Sequence, residues 1–392
     1  MKKTVSLALL LVFLFGLGTI SFANNGGKSA AESLSATKTS ALEIDVPGAY
    51  LMEASTGKVL YAKDEYSSAS PASVTKIMTL LLVCEALADG RISLDDNVAV
   101  SDYAASMGGS QVFLEEGERM SVEELIKCTV IASANDAAVA LAELVSGTED
   151  AFVKAMNERA RSLGLKNTNF ENTTGLDDTT TSHYSCPADI AKMSRELIKH
   201  DVILKYSSLW QDTIRDGEFT LTNTNRLVRY YEGCNGLKTG STDKAGYCVS
   251  ATAKRGNMQL IAVIMGADSR DARNNAARAL LDYGFSSFAL YERDRGHIED
   301  VSVIRGVSDF VPLYSGEFSA VVPKDKLSAI ELVYDIPEQL SAPVKQGDIV
   351  GSVKYFLNGE QIGVSDIFAD ADVEKINMWQ IFARILRRVI AG

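Results

Sequence analysis

Hydrophobic and polar positions along the first two thirds of the chain alternate between strand-length runs and helical spacings. Residues 49–53 and 59–62 are short apolar-rich runs joined by Ser55-Thr56-Gly57-Lys58, and predict two strands with a turn. From Pro71 the spacing changes: Ile77, Leu80, Leu81 and Cys84 recur three and four apart, which predicts a helix. Ser121-Val122-Glu123-Glu124 has the form of a capping box and opens a helix through Leu125 and Val130. Ser133-Ala134-Asn135 interrupts that stretch, and a second helix runs from Asp136 until Gly147 stops it. Thr148 caps another, with Phe152, Met156 and Leu163 on one face and Gly164 beyond its end. Residues 247–253 and 259–266 predict two antiparallel strands turning at Arg255-Gly256-Asn257, and a last helix over 272–283 ends at Gly284. An antiparallel sheet beside a helical cluster is α+β, not a doubly wound α/β fold.

After about Arg295 the helical spacing gives way to short β-rich runs at 301–304, 318–322, 330–334, 349–356 and 361–364. Asn358-Gly359 between the last two is a strong two-residue hairpin signal. No acid–base cluster is evident there, so residues 296–373 read as a small all-β domain without catalytic residues. From Ile376, apolar Trp379, Phe382, Ala383, Leu386, Val389 and Ile390 recur at three- and four-residue steps, with Gln380, Arg384, Arg387 and Arg388 opposite. Residues 374–392 therefore predict an amphipathic, basic helix of the kind that lies in a membrane interface.

The other end sets the compartment. Lys2 and Lys3 precede an apolar run over 5–20, and Ser21-Phe22-Ala23 offers a small-residue cleavage site, which predicts a secretory signal peptide over 1–23. The run is barely long enough to span a bilayer, so removal is favoured over a permanent helix. Residues 24–43 are rich in Ser, Ala, Thr, Gly and Lys and read as a flexible linker. The α+β domain is then expected over 44–295.

Composition narrows the function classes. The net charge of −12 becomes −14 without Lys2 and Lys3, since residues 1–23 carry no Asp or Glu. A chain this acidic is a poor nucleic-acid binder. Five cysteines leave at least one unpaired in a monomer, and their spacing fits neither a zinc site nor a dense disulfide framework. They read as mostly free core thiols. His183, His200 and His297 are far apart, and there is no G-x-S-x-G, H-E-x-x-H or Walker loop.

Chemistry enters with three short motifs. Ser73 and Lys76 are at i and i+3 and share a face if their segment is helical. A serine hydroxyl attacks poorly until a neighbouring base takes its proton, and a lysine can do so only as a neutral amine, which burial and a second cation favour. Alone, such a pair is usually an N-cap serine followed by a solvated lysine. Ser133 and Asn135 sit in a break between helices, where they can face a cleft or simply cap. Lys238-Thr239-Gly240 lies in a Gly-rich strand over 236–240. Gly240 lets a substrate backbone pair with the strand edge, while Lys238 and Thr239 offer a charge and a hydroxyl to a terminal carboxylate.

In this order, at gaps of roughly sixty and one hundred residues, the three motifs resemble the active-site signature of penicillin-binding proteins and serine β-lactamases. From about Ile44 onward the chain resembles a low-molecular-mass penicillin-binding protein, a serine D-alanyl-D-alanine carboxypeptidase. The resemblance implies a β-lactamase/transpeptidase-like α+β domain in which Ser73 is the nucleophile and Lys76 its base. It further implies that Ser133 relays a proton to the leaving amine and that Asn135 holds Lys76 and the substrate amide. Lys238, Thr239, Gly240 and Arg273 would bind substrate, with Arg270 as the neighbouring alternative to Arg273. Backbone N–H groups of Ser73 and Ser241 would form the oxyanion hole. Relatives often carry His where this chain has Ser241. His183 belongs to a structural stretch of the family.

The implied substrates are peptidoglycan pentapeptide stems, the implied covalent inhibitors β-lactam antibiotics, with no metal and no cofactor. The implied location is the outer face of the cytoplasmic membrane, through the terminal helix. A serine β-lactamase is the competing enzyme. It would need an E-x-x-L-N stretch where this chain reads Phe170-Glu171-Asn172-Thr173-Thr174-Gly175, and it usually carries Asp where Ala134 stands. A penicillin-sensing or wall-binding module without turnover would keep Ser73 and hold its acyl-enzyme.

Overall fold

The first strand of the folded chain, Gly48–Glu53, lies deep in a sheet whose other members come mostly from two hundred residues later. In this computed structural model, which describes residues 42–178 and 180–391, the order is Val59–Lys63, Gly48–Glu53, Met258–Ala267, Gly246–Arg255 and Cys234–Thr242. Every pairing is antiparallel, with Tyr50 opposite Val263 and Lys238 opposite Ser250. Cys234–Thr242 is left as an edge. The signal peptide and nearly all of the linker expected from sequence lie outside the described residues.

The helical cluster packs beside this sheet. Ile77, Leu80, Leu81 and Cys84 of the Lys76–Ala88 helix are all buried, as their spacing required. The capping box at Ser121 forms as expected, Ser121 Oγ accepting from Glu124 N and Glu124 Oε2 from Ser121 N. The five cysteines are free thiols, four of them buried and Cys234 half-buried.

Two expectations are corrected. The helix predicted to stop at Gly284 runs on as Arg270–Ser287. Gly284 is a contact residue: a Cβ there would stand 2.5 Å from Leu260 Cδ1 and 3.1 Å from Leu51 Cδ2, so its bare backbone lets the helix sit close on the sheet. The helix opened by Ser121 does not continue regularly through Val130. It ends at Lys127 and passes into a π-helical turn, Cys128–Ala132.

The second domain is all β. Its six-stranded sheet runs Ile330–Asp335, Ile349–Leu357, Glu360–Ala369, Phe310–Ser315, Gly296–Ile304 and Gln339–Ser341, and Phe288–Arg293 pairs separately with Phe318–Pro323. Val311, Leu313, Val353, Tyr355 and Ile367 form its core, with the Phe318 ring stacked on Tyr355 at 3.7 Å. Asn358 and Gly359 take φ of 52° and 82°, and Leu357 faces Glu360 across the tight turn their sequence predicted. The Phe310–Ser315 strand escaped the pattern because Pro312 interrupts it; in the fold Pro312 faces Asp300, beside a register shift.

The terminal helix, Met378–Ala391, leaves Trp379, Phe382, Leu386, Val389 and Ile390 exposed. Arg384 turns back onto the β domain, pairing with Asp309 at 2.8 Å and donating to Val307 O at 2.7 Å. Ala383, counted on the apolar face in sequence, instead lines a groove with Val307 and Arg384. Among the described residues no helix is long and apolar enough to cross a membrane.

Candidate active site

The helix carrying Lys76 begins in the middle of the first motif. Ala72–Thr75 form a 3₁₀ turn that runs into it, leaving Ser73 half-buried at a cleft and Lys76 fully buried. Lys76 Nζ lies 3.1 Å from Ser73 Oγ and also donates to Asn135 Oδ1 at 2.6 Å and Thr174 O at 2.8 Å. Burial, reinforced by the neighbouring Lys238, holds its pKa well below the ordinary lysine range, with the Asp136 carboxylate opposing. The amine is thus predisposed to lose its proton beside the serine.

The second motif is shaped by backbone strain. The π-helical turn ends at Ser133 in the left-handed region, φ 65° and ψ 27°, a conformation that costs a serine roughly 1 kcal/mol or more. It brings Ser133 Oγ to 2.8 Å from Lys238 Nζ. Asn135 is pinned twice, its N donating to Ser110 O and its Nδ2 to Gly108 O, each at 2.7 Å, so Oδ1 is left to Lys76. Buried Asp136 accepts from the amides of Val112 and Leu114 and so holds the 108–114 loop that carries Ser110 to the cleft.

The third motif lies on the edge strand. Lys238 is buried, donates to Ser133 and to Thr239 O at 2.9 Å, and has its pKa pushed down to about 7, first by burial and then by Arg273. Thr239 Oγ1 donates to Thr224 Oγ1 at 2.8 Å. At Gly240 a Cβ would stand 2.8 Å from Ser73 N and 2.9 Å from Pro71 O. The strand can lie against the serine turn only because that side chain is missing, a packing reason absent from the sequence reading.

Arg273 lies in the first turn of the Arg270–Ser287 helix, buried, with its pKa lowered to about 10 by burial and then by Arg270. Its Nε and Nη2 donate to Asn274 Oδ1 at 3.1 and 3.0 Å. Ser73, Ser133, Thr239, Gly240, Ser241 and Arg273 line one cleft of about 430 Å³, which Arg270 also reaches. The cleft therefore gathers candidates from all three motifs, while Lys76, Asn135 and Lys238 are buried beneath it.

His183 supports the serine turn from behind. Its Nδ1 accepts from Glu171 N, so Nε2 carries the hydrogen that Thr75 Oγ1 accepts at 2.8 Å. Burial lowers its pKa to about 4. The Glu171 carboxylate accepts from Thr181 N and Ser182 N. Among the described residues no group of three or more His, Cys, Asp or Glu side chains is placed to hold a metal ion.

Sequence reasoning missed Thr174, whose carbonyl holds Lys76, and Thr224, which holds Thr239. A backbone acceptor leaves no residue-type signal. Gly175 left one: at φ 80° a Cβ would stand 1.8 Å from Ala72 O, so this glycine seats the Thr174 carbonyl against the serine turn.

Residues 35–269 match the D-alanyl-D-alanine carboxypeptidase family, peptidase S11, and residues 285–375 match the penicillin-binding protein 5 C-terminal domain. The chain is 41% identical over 383 residues to the D-alanyl-D-alanine carboxypeptidase DacF of Bacillus subtilis, covering 96% of this chain and 95% of that protein. The crystal structure of penicillin-binding protein 5 from Haemophilus influenzae superposes with a TM-score of 0.74 at 32% identity, over 85% of this chain and 98% of that one. A Listeria monocytogenes penicillin-binding protein D2, solved in the ampicillin-bound form, gives a TM-score of 0.58 at 31% identity, over 62% of this chain and 99% of that one.

Proposed function

The chain belongs to the D-alanyl-D-alanine carboxypeptidase family of penicillin-binding proteins, and from that premise we propose how its own residues carry the reaction. Proteins of this family bind peptidoglycan stems and β-lactams and act on the cell wall. Neutral Lys76 takes the Ser73 hydroxyl proton as Oγ attacks the carbonyl between the two terminal D-alanines. The developing oxyanion is met by the backbone N–H groups of Ser73 and Ser241. Ser133, hydrogen-bonded to Lys238, delivers its hydroxyl proton to the leaving nitrogen and regains one from the Lys76 ammonium, so that the terminal D-alanine departs and Lys76 is neutral again. Water, activated through Lys76, then hydrolyses the acyl-Ser73 ester. Thr239, Lys238 and Arg273 receive the terminal carboxylate, and Asn135 keeps Lys76 in place and meets the substrate amide.

The observation that carries this reading is the 3.1 Å approach of a fully buried, pKa-depressed Lys76 to Ser73. The β-lactamase alternative lacks comparable support, because the Glu171 carboxylate is engaged by Thr181 and Ser182. D-alanine release from diacetyl-Lys-D-Ala-D-Ala, with nitrocefin turnover measured alongside, tests it: release with little nitrocefin turnover is expected, and the reverse ratio overturns it. A stable acyl-enzyme with no release would instead indicate a sensing module.

The terminal helix supports a peripheral attachment to the outer face of the cytoplasmic membrane after export. Trp379 is 82% and Phe382 61% exposed, with Leu386, Val389 and Ile390 beside them on the same apolar face. Such a face gains transfer free energy in the boundary between headgroups and acyl chains. Arg384, engaged with Asp309, orients the helix on the β domain in place of the lipid contact its sequence position suggested.

A further inference from the structure

The leaving-group end of the cleft carries more positive charge than one terminal carboxylate needs. Beside buried Arg273, two exposed arginines, Arg226 and Arg270, line the same cleft, and among the described residues no acidic side chain lines it. Neither has an ion pair or a side-chain hydrogen bond among the described residues, in a chain whose net charge is −12. Both are close enough to press down the pKa of Arg273, Arg270 more strongly than Arg226.

They approach from independent, well-fixed elements. Arg270 opens the Arg270–Ser287 helix behind the Ser269 cap. Arg226 follows a segment held by two buried asparagines: Asn223 Nδ2 donates to Ser207 O and Leu209 O, and Asn225 Nδ2 donates to Gly236 O at 2.8 Å. Between those asparagines Thr224 accepts from Thr239, so the backbone that presents Arg226 is tied directly to the third motif. Three guanidinium groups converge where the proposed substrate brings one carboxylate, and two remain without a counter-charge. Like charges held together without one repel, and the repulsion is relieved by a second anion.

We propose that Arg226 and Arg270 form a second anion subsite on the leaving-group side, which takes a carboxylate on the side chain of the leaving residue. This rests on the reading above that Thr239, Lys238 and Arg273 hold the terminal carboxylate. The substrate class is a D-alanyl peptide ending in an acidic D-residue, cleaved by the same acyl transfer, with the acidic amino acid as leaving group. The Cys234–Thr242 edge strand and Ser73 are used unchanged; only the pocket beyond them differs.

Diacetyl-Lys-D-Ala-D-Glu and its neutral isostere ending in D-Gln isolate the charge. Wild-type kcat/KM should favour D-Glu over D-Gln by at least about fivefold, the scale of one or two partly exposed ion pairs. Arg226→Gln/Arg270→Gln should bring that ratio close to one, with a smaller loss on D-Ala-D-Ala. The wild-type ratio should also shrink as salt rises, because both groups are solvent-facing. The salt series needs no variant, and the melting temperature and penicillin labelling of the double variant report its folding. A wild-type ratio of one or below, or a ratio that survives both the double substitution and high salt, overturns the subsite. Retention of D-Ala-D-Ala hydrolysis by Arg273→Gln would overturn the terminal-carboxylate reading instead, on a different substrate.

Discussion

Lys238 Nζ stands 2.8 Å from Ser133 Oγ, across 105 residues of sequence, and neither atom is hydrogen-bonded to Lys76. The described polar groups thus fall into two clusters. One joins Lys76 to Ser73, Asn135 and the Thr174 carbonyl; the other joins Lys238 to Ser133, and Thr239 to Thr224. In the proposed mechanism the first removes a proton and the second returns one, with the scissile amide between them. Base and acid can then be tested separately.

Lys76→Arg keeps a cation near Ser73 but cannot offer a neutral amine. Acylation by a fluorescent penicillin and hydrolysis of the peptide should both fall by roughly a hundredfold to ten thousandfold, the usual weight of a general base. Ser73→Ala should abolish labelling altogether. Labelling of Lys76→Arg at the wild-type rate would assign the base elsewhere.

Charge at Lys238 should set an alkaline limb. Its pKa near 7 means that the amine is charged below that pH and neutral above it in the free enzyme. kcat/KM for a carboxylate-ended peptide should therefore fall as pH rises through about 7, through weaker binding. A peptide ending in a carboxamide should lack that limb. The acid limb belongs to Lys76, whose depressed pKa leaves it deprotonated below the ordinary lysine range. An identical alkaline limb for both peptides would remove Lys238 from carboxylate binding.

Arg273→Ala should lower kcat/KM for carboxylate-ended peptides by roughly tenfold to a thousandfold, the range for a buried charged hydrogen bond. The same change should affect the carboxamide peptide far less. If Arg270→Ala shows the larger loss on D-Ala-D-Ala, the roles of the two arginines are exchanged.

The legibility of the chain follows from what each residue does locally. Ser121 and Glu124, or Asn358 and Gly359, act on their own neighbours, so their signals survive in any tertiary setting. The three motifs were legible because acyl transfer demands particular side chains in a fixed order. Gly284 was misread because a glycine that permits close packing looks the same in sequence as one that ends a helix. That Arg384 packs on the β domain was not legible because its partner, Asp309, is 75 residues away. Thr174 was invisible because its contribution is a backbone carbonyl.

Gly175 gives that carbonyl a handle. Its φ of 80° and the 1.8 Å approach of a built Cβ to Ala72 O mean that Gly175→Ala must displace backbone from the serine turn. A loss of roughly 2 kcal/mol or more is expected, from left-handed strain together with overpacking. Thermal unfolding reads the loss, and penicillin acylation should slow with it because Lys76 loses its Thr174 partner. Gly284→Ala is a useful contrast. The atom it meets first is the tip of Leu260, which can move, and alanine gains up to about 1 kcal/mol of helix propensity. Its net cost should be the smaller of the two; a reversed order would contradict the packing described for both glycines.

The tail prediction turns on which face of the terminal helix meets lipid. Trp379, Phe382, Leu386, Val389 and Ile390 are exposed together, whereas Arg384 is held by Asp309 and the Val307 carbonyl. Apolar burial rather than charge should then dominate attachment, since each basic group near anionic lipid adds only about 1 kcal/mol and an acidic body is repelled by the same surface. Trp379→Glu/Phe382→Glu should release the mature protein from vesicles containing anionic lipid, and truncation after Glu374 should do so with unchanged turnover on small peptides. Asp309→Ala should leave attachment largely intact while freeing the helix from its fixed angle on the β domain, read as faster proteolysis near residues 374–378. Raised salt should weaken binding only in part, because the apolar face is insensitive to screening. Sedimentation of the truncated mature protein with vesicles would place the attachment elsewhere in the chain.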